Sequence, residues 1–315
     1  RSTRVIALGI GKVLEGDLSE AESAQVALVH KALNNSIDAL RKFERTEVEV
    51  YDYDEVDVMG VLPYLKIARR GIRNLEVGET GFVPAGWVLR GERSYLMIVL
   101  KRETEDHFTV YVCGFGDARE YHPKTAVFAP KLKYKPLCFK NVPTTRVYDD
   151  AFWALLSSVP LQDDVQKGGP RLLYDFFFPW LHGKSVQEAD TEDVDWRTPT
   201  YGRGSNTFHR AVLDAIHVML RIGGLQVWEV KRVKWHLRSA LLQCLLTDAG
   251  AVLELSTAEK RLIRMACQQL AYTTAKLSDA KRGENGETIL GRKELEYTQE
   301  LIDQVEAKIA TKSSS

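Results

Sequence analysis

The chain has 315 residues, 44% hydrophobic and 27% charged, which excludes collagen-like, mucin-like and wholly disordered classes and leaves room for one large domain or two small ones. Its 43 basic residues match its 43 acidic ones, so it lacks the basic surplus of a dedicated nucleic-acid clamp, and no nucleic-acid partner is expected. No apolar run approaches the roughly 20 residues of a membrane span; the longest apolar-rich stretch, Arg171 to Leu181, is interrupted by Asp175 and Pro179, and no membrane partner is expected.

Residues 1–18 read as a leader or linker. Gly9-Ile10-Gly11-Lys12 lacks the spacing and closing hydroxyl of a phosphate-binding loop and reads as a turn near a frayed terminus. Arg1-Ser2-Thr3-Arg4 has neither an initiator methionine nor signal-peptide character, so the chain reads as a piece of a longer protein. From Ser19 to Phe43 apolar residues recur at helical spacing, and Ser19 with Glu22 forms a capping box. A second helix is predicted over Glu55 to Leu75, with an interruption at Pro63. Residues 76–145 change texture. Gly81 to Trp87, Tyr95 to Leu100 and Phe108 to Cys113 are β-branched and aromatic, with Gly114, Gly116 and Asp117 as a following turn. Phe128, Leu132, Tyr134, Leu137 and Phe139 indicate further short strands.

Helices return over 146–277. One runs from Asp149 to Leu156, capped by Asp149 or Asp150. Another opens at Gly169-Pro170 and continues through Trp180. Gln187 to Gly204 reads as an exposed acidic loop. Asn206 to Ile222 is a strong helix stopped by Gly223-Gly224. Trp228 to Leu246, Ser256 to Leu277 and Arg292 to Ile309 follow, with Ser256 and Glu259 as a second capping box. Residues 278–315 comprise a mobile loop, Ser278 to Gly291, and a C-terminal helix. The order helices, sheet, helices predicts an α+β domain over 19–277.

Candidate chemistry is sparse. Cys113, Cys138, Cys244 and Cys267 form no CxxC pair and read as free buried thiols of a cytoplasmic chain. His209 and His217 lie about 12 Å apart along one helix, too far to share a metal by themselves. The acidic run from Glu188 to Asp195 lacks the pattern of a calcium loop. No metal or cofactor is expected. Lys231, Arg232 and Lys234, between Trp228 and Trp235, read as the exposed face of an amphipathic helix. His122, in Glu120-Tyr121-His122-Pro123, is a candidate base with no nucleophile near it in sequence.

Three segments together resemble a known pattern: Leu75-Glu76-Val77-Gly78-Glu79 through Val83-Pro84-Ala85-Gly86-Trp87; Cys113-Gly114-Phe115-Gly116 through Tyr121-His122-Pro123; and Arg197-Thr198-Pro199 through Phe208-His209-Arg210-Ala211-Val212-Leu213. The chain is similar to the papain-like cysteine-peptidase domain carried inside some very large eukaryotic proteins, several of them linked to ubiquitin. Leu262 to Ala271 resembles that group's trailing helix, so the resemblance spans about residues 55 to 275. It implies an antiparallel sheet of short strands flanked by N-terminal and C-terminal helices. It also implies a helix-terminal cysteine nucleophile, a histidine base and an orienting polar residue.

At those positions this chain carries Thr207, Tyr95 and Val112. None can do the work of the residue it replaces: an unactivated threonine is a poor nucleophile, a phenol accepts a proton poorly, and valine orients nothing. A shift of one residue would bring Cys113 to the third position. The resemblance with these substitutions implies a pseudopeptidase without catalytic residues. A groove near Trp87, Ser205, Asn206 and Phe208 would remain as a binding surface. Its partner would be another part of the parent protein or a separate protein, with ubiquitin as the candidate by analogy. Two alternatives stay open. One is an active, deubiquitinase-like cysteine hydrolase using Cys113, Cys138 and His122. The other is an architectural α+β domain unrelated to peptidases.

Overall fold

β-Branched and aromatic residues between Thr80 and Cys113 cannot all face one side of a strand, and the fold buries both sides. The structure is a computed structural model that describes residues 2–49, 58–89, 92–114, 118–125, 133–159, 169–189, 207–251, 256–282 and 287–310. Helices α1 (Ser2–Leu14), α2 (Glu20–Glu49) and α3 (Val58–Arg73) come first. Strands β1 (Thr80–Leu89), β2 (Glu92–Arg102), β3 (His107–Cys113), β4 (Lys124–Thr125), β5 (Lys133–Tyr134) and β6 (Leu137–Pro143) follow. Then come α4 (Thr144–Val147), α5 (Asp150–Ser158), α6 (Gly169–Leu172), a π-helical turn (Leu173–Phe177) and α7 (Phe178–His182). The chain continues with α8 (Thr207–Ile222), α9 (Val227–Ala251), α10 (Thr257–Ser278), the short strands β7 (Lys281–Arg282) and β8 (Glu287–Thr288), and α11 (Arg292–Ala310). The class is α+β. Among the described residues no helix is long and apolar enough to cross a membrane. The strand expected at Phe128 and the acidic loop beyond Ala189 lie outside the described residues.

Contacts divide the chain into two compact units, residues 31–219 and residues 2–30 with 220–315. This grouping differs from the division at 1–18, 19–277 and 278–315 that the sequence suggests.

The first unit is built on an antiparallel sheet in the order β1-β2-β3-β6. Trp87 pairs with Ser94, Ile98 with Val112, Met97 with Cys113, and Tyr111 with Cys138. One face carries Val83, Ala85, Trp87, Leu96, Ile98, Val110, Val112 and Phe139 into a core completed by α5, the π-helical turn and α7. Asp149 caps α5 as predicted, accepting from the backbone N–H groups of Ala151 (2.8 Å) and Phe152 (3.3 Å). A bulge between Phe108 and Val110 breaks the β3–β6 register, and Asn141 sits there at φ 58°, a conformation asparagine tolerates. The helix expected from Gly169 to Trp180 forms as α, π, α. Pro179 has no N–H to give the preceding turn, which accords with the widened ladder just before it.

The second unit is helical. Trp235, Leu242, Ile263, Leu270, Leu301 and Val305 form its core, drawn from α9, α10 and α11. The buried Trp235 indole N–H donates to Thr274 Oγ1 at 2.9 Å. Three sequence expectations are corrected here. Residues 2–14 form a helix, because Ile6, Ile10 and Val13 fall on one buried face instead of fraying. The stretch after Ser278 contains the β7–β8 pair and the buried Ile289 and Leu290, so its apolar residues anchor it. Arg232 is mostly buried, not part of an exposed face. Its guanidinium meets Glu22 Oε2 (2.8 Å) and Glu294 Oε1 (3.0 Å) and donates to the Asp17 carbonyl (2.8 Å).

The capping box at Ser19 and Glu22 forms as predicted. Ser19 N–H donates to Glu22 Oε2 at 2.9 Å, and Glu22 N–H donates to Ser19 Oγ at 3.3 Å. The same Glu22 side chain is fully buried and paired with Arg232. Arg232→Met is expected to cost about 3–5 kcal/mol in urea unfolding, because it strands a buried carboxylate. Arg232→Met combined with Glu22→Gln is expected to recover a measurable part of that loss.

Candidate functional site

Strand parity decides which of the predicted residues can meet. Tyr95, Met97 and Val99 share one face of β2, and Cys113 lies opposite Met97, so Cys113, Tyr111 and Cys138 share that face too. Val112 points to the other face, into the core with Trp87, Ile98 and Leu137. Tyr95 and Val112 therefore lie on opposite sides of the sheet. The register shifted by one residue, with Cys113 as the third position, is the one that reaches the face of Tyr95.

The first turns of α8 approach the sheet at this face. Gly114 has φ 78°, and a Cβ there would stand 3.2 Å from Ala211 Cβ and 3.3 Å from the Tyr95 carbonyl oxygen. Only glycine combines that backbone with so close an approach. Gly86 plays a parallel part across from Tyr95, where a Cβ would stand 2.3 Å from the Ser94 carbonyl oxygen. Thr207 opens α8, but its side chain and that of Phe208, like Ser205 and Asn206 entirely, lie outside the described residues. Trp87 is wholly buried, packed edge-on against Tyr174 at 6.4 Å, so it lines no open groove. Its parity with Val83 and Ala85 turns it inward.

Cys113 is held as a thiol. Burial raises its pKa well above the ordinary value, and the charges of Asp214 and the neighbouring Cys138 raise it further. Asp214, itself buried, belongs to α8. A nucleophilic cysteine needs the opposite environment, electropositive and partly open. Cys138 and Cys267 are buried as well, as the sequence indicates, and Cys244 is half-buried.

His122 is committed elsewhere. Its Nδ1 lies 3.0 Å from the Lys135 carbonyl, and its Nε2 lies 2.8 Å from the Tyr174 hydroxyl. A carbonyl only accepts, so Nδ1 carries the proton and Nε2 accepts from Tyr174. Tyr174 also stacks on Tyr121 at 4.6 Å. Burial lowers the His122 pKa to about 4, partly offset by the Lys135 bond, so the ring stays neutral at physiological pH. A ring with its lone pair spent on a tyrosine hydroxyl is a packing element, not a general base. Nothing in the sequence pattern signals Tyr174 as its partner, 52 residues away.

Of the remaining candidates, Glu188 closes a small capping box with Ser185, whose N–H donates at 2.9 Å. The rest of that acidic run lies outside the described residues. Among the described residues no group of three histidine, cysteine or acidic side chains is placed to hold a metal ion. No protein-family model and no curated protein sequence matches the chain.

His122 makes stability pH-dependent. Its folded pKa of about 4 lies below the unfolded value near 6.5, so its contribution is complete above about pH 6.5 and is lost as pH falls toward 4. Between pH 7 and 4.5, wild type is expected to lose about 2 kcal/mol more unfolding free energy than His122→Gln, measured by urea titration at each pH. Iodoacetamide is expected to leave Cys113 and Cys138 unmodified in the native protein and to alkylate both in denaturant, as mass spectrometry of the digested chain would report.

Proposed function

We propose that this chain contains a catalytically inactive papain-like domain that serves as a protein-binding module of a larger protein. The observation that carries the reading is the state of Cys113. The thiol nearest the expected site is buried beside a carboxylate, where the thiolate is disfavoured. The approach of the first turns of α8 to Gly114 supports the papain-like part, because that arrangement brings a helix start against a sheet face. The substitutions Thr207 and Tyr95 remove the nucleophile and base that the resemblance calls for. His122, the imidazole in the Tyr-His-Pro segment of the resemblance, is spent on Tyr174.

A domain with this architecture and no activated nucleophile retains a surface rather than a reaction. The surface near Tyr95 and the start of α8 is where a peptidase of this type would hold its substrate, so a polypeptide is the partner class that fits. Ubiquitin enters by analogy with the group the sequence resembles, and so does an intracellular setting.

A ubiquitin probe with an electrophilic C-terminus separates this reading from the hydrolase alternative. No cysteine of the native chain is expected to be labelled, while unmodified ubiquitin is expected to shift amide resonances of β2 and the first turns of α8. Labelling of any cysteine would overturn the inactive assignment. Absence of any shift with ubiquitin or with an unfolded polypeptide would overturn the binding assignment.

A further inference from the structure

The second unit holds a cleft unrelated to the sheet. It encloses about 430 Å³ between the end of α1, the middle of α9 and the start of α11. That volume falls within the range of small-molecule sites. Its apolar wall is the half-buried ring of Tyr297, backed by Val13, Trp235 and Ala240, which are themselves buried. Trp235 cannot swing away, because it is buried and its indole N–H is tied to Thr274. The wall is therefore formed in advance of any ligand.

The polar lining is balanced in sign. Lys12 and Lys293 contribute two ammonium groups, and Glu15 and Asp17 contribute two carboxylates. Glu294 also lines the cleft, but its charge is engaged by Arg232. Among the described residues the side chains of Lys12, Glu15 and Lys293 form no ion pair. A cleft built for a phosphate or another polyanion would carry a cationic surplus, and this one has none. One built for a neutral hydrocarbon would not gather four charged groups around an aromatic wall. His236 adds a further polar group, with Nε2 buried and without a hydrogen-bond partner.

We propose that this cleft binds a compact zwitterion with a flat apolar body, of the aromatic amino-acid class. The ring would lie on the half-buried ring of Tyr297, with the buried Trp235 as its fixed backing. The ammonium group would face Glu15 and Asp17, and the carboxylate would face Lys12 and Lys293. No chemistry is implied, since the lining offers recognition of both charges and a surface for the ring.

The test uses four related probes on the full chain, followed by isothermal titration: L-tryptophan, which has both charges; tryptamine, the cation alone; indole-3-acetate, the anion alone; and indole, which has neither. L-Tryptophan is expected to bind about fivefold more tightly than either singly charged probe, as one exposed charge contact allows, and about 25-fold more tightly than indole, which lacks both contacts. Lys293→Ala and Glu15→Ala are each expected to bring its affinity down toward that of the probe lacking the corresponding charge. Gln243→Trp, at the exposed edge of the cleft, is expected to abolish binding while leaving the circular dichroism and melting temperature unchanged. If Gln243→Trp fails to fold, the two exposed-residue variants carry the decision. No binding of any probe, an equal or tighter binding of indole or of either singly charged probe, or unchanged affinity in both alanine variants would overturn the proposal.

Discussion

The central stretches of strands β2 and β3 have no side that faces water. Leu96, Ile98, Val110 and Val112 fill one face and Met97, Val99, Tyr111 and Cys113 fill the other, all buried. In a strand so placed, moving a side chain by one position transfers it from one packed interior to another. That constraint sets where α8 can come close, which needs Gly114 at its point of contact, and where it leaves Cys113, beside Asp214 rather than beside an imidazole. It also turns Trp87 inward, edge-on against Tyr174 in the opposite core. The chemistry available at this sheet follows from parity before it follows from residue type.

Several buried polar groups in both units are joined in sets, although Glu22 Oε1, Trp87 Nε1 and His236 Nε2 have no hydrogen-bond partner among the described residues. His122 gives one proton to a backbone carbonyl and takes one from Tyr174. Trp235 is tied to Thr274, which lies 3.3 Å from Thr298 Oγ1. Arg232 joins the capping glutamate at the start of α2 to Glu294 near the start of α11. Each set draws on residues far apart in sequence, and each would cost more broken than absent, because a buried donor or charge left alone keeps its desolvation penalty. Such sets select one arrangement of helices over its near neighbours more than they add to total stability.

Periodicity made most elements legible. The helix from Ser19, the three strands to Cys113, the cap at Asp149 and the helix ending at Gly223 are all written in local spacing and local caps. Less legible were features that depend on distant partners. Residues 2–14 read as a leader because two glycines obscured the spacing of Ile6, Ile10 and Val13. Arg232 read as exposed because its run of basic neighbours gives no hint of Glu22, 210 residues away. At the site, residue types were readable but faces were not: Tyr95 and Val112 could be named from the pattern, whereas their opposite orientation required the strand register. The cleft on α1, α9 and α11 left no trace in the sequence, since its lining comes from three separated segments.

The order of the units along the chain has a consequence for how the molecule is made. Residues 31–219 are contiguous, while the other unit is assembled from residues 2–30 and 220–315. On a ribosome, which extends a chain by roughly 5–20 residues each second, the contiguous unit can complete its core while the helix at the start still waits for α9. During that interval Ile6, Ile10 and Val13 have no native cover, and Glu22 has no guanidinium. The apolar face of α1 and the capping glutamate of α2 thus gain their partners only once the chain has been made past Arg232.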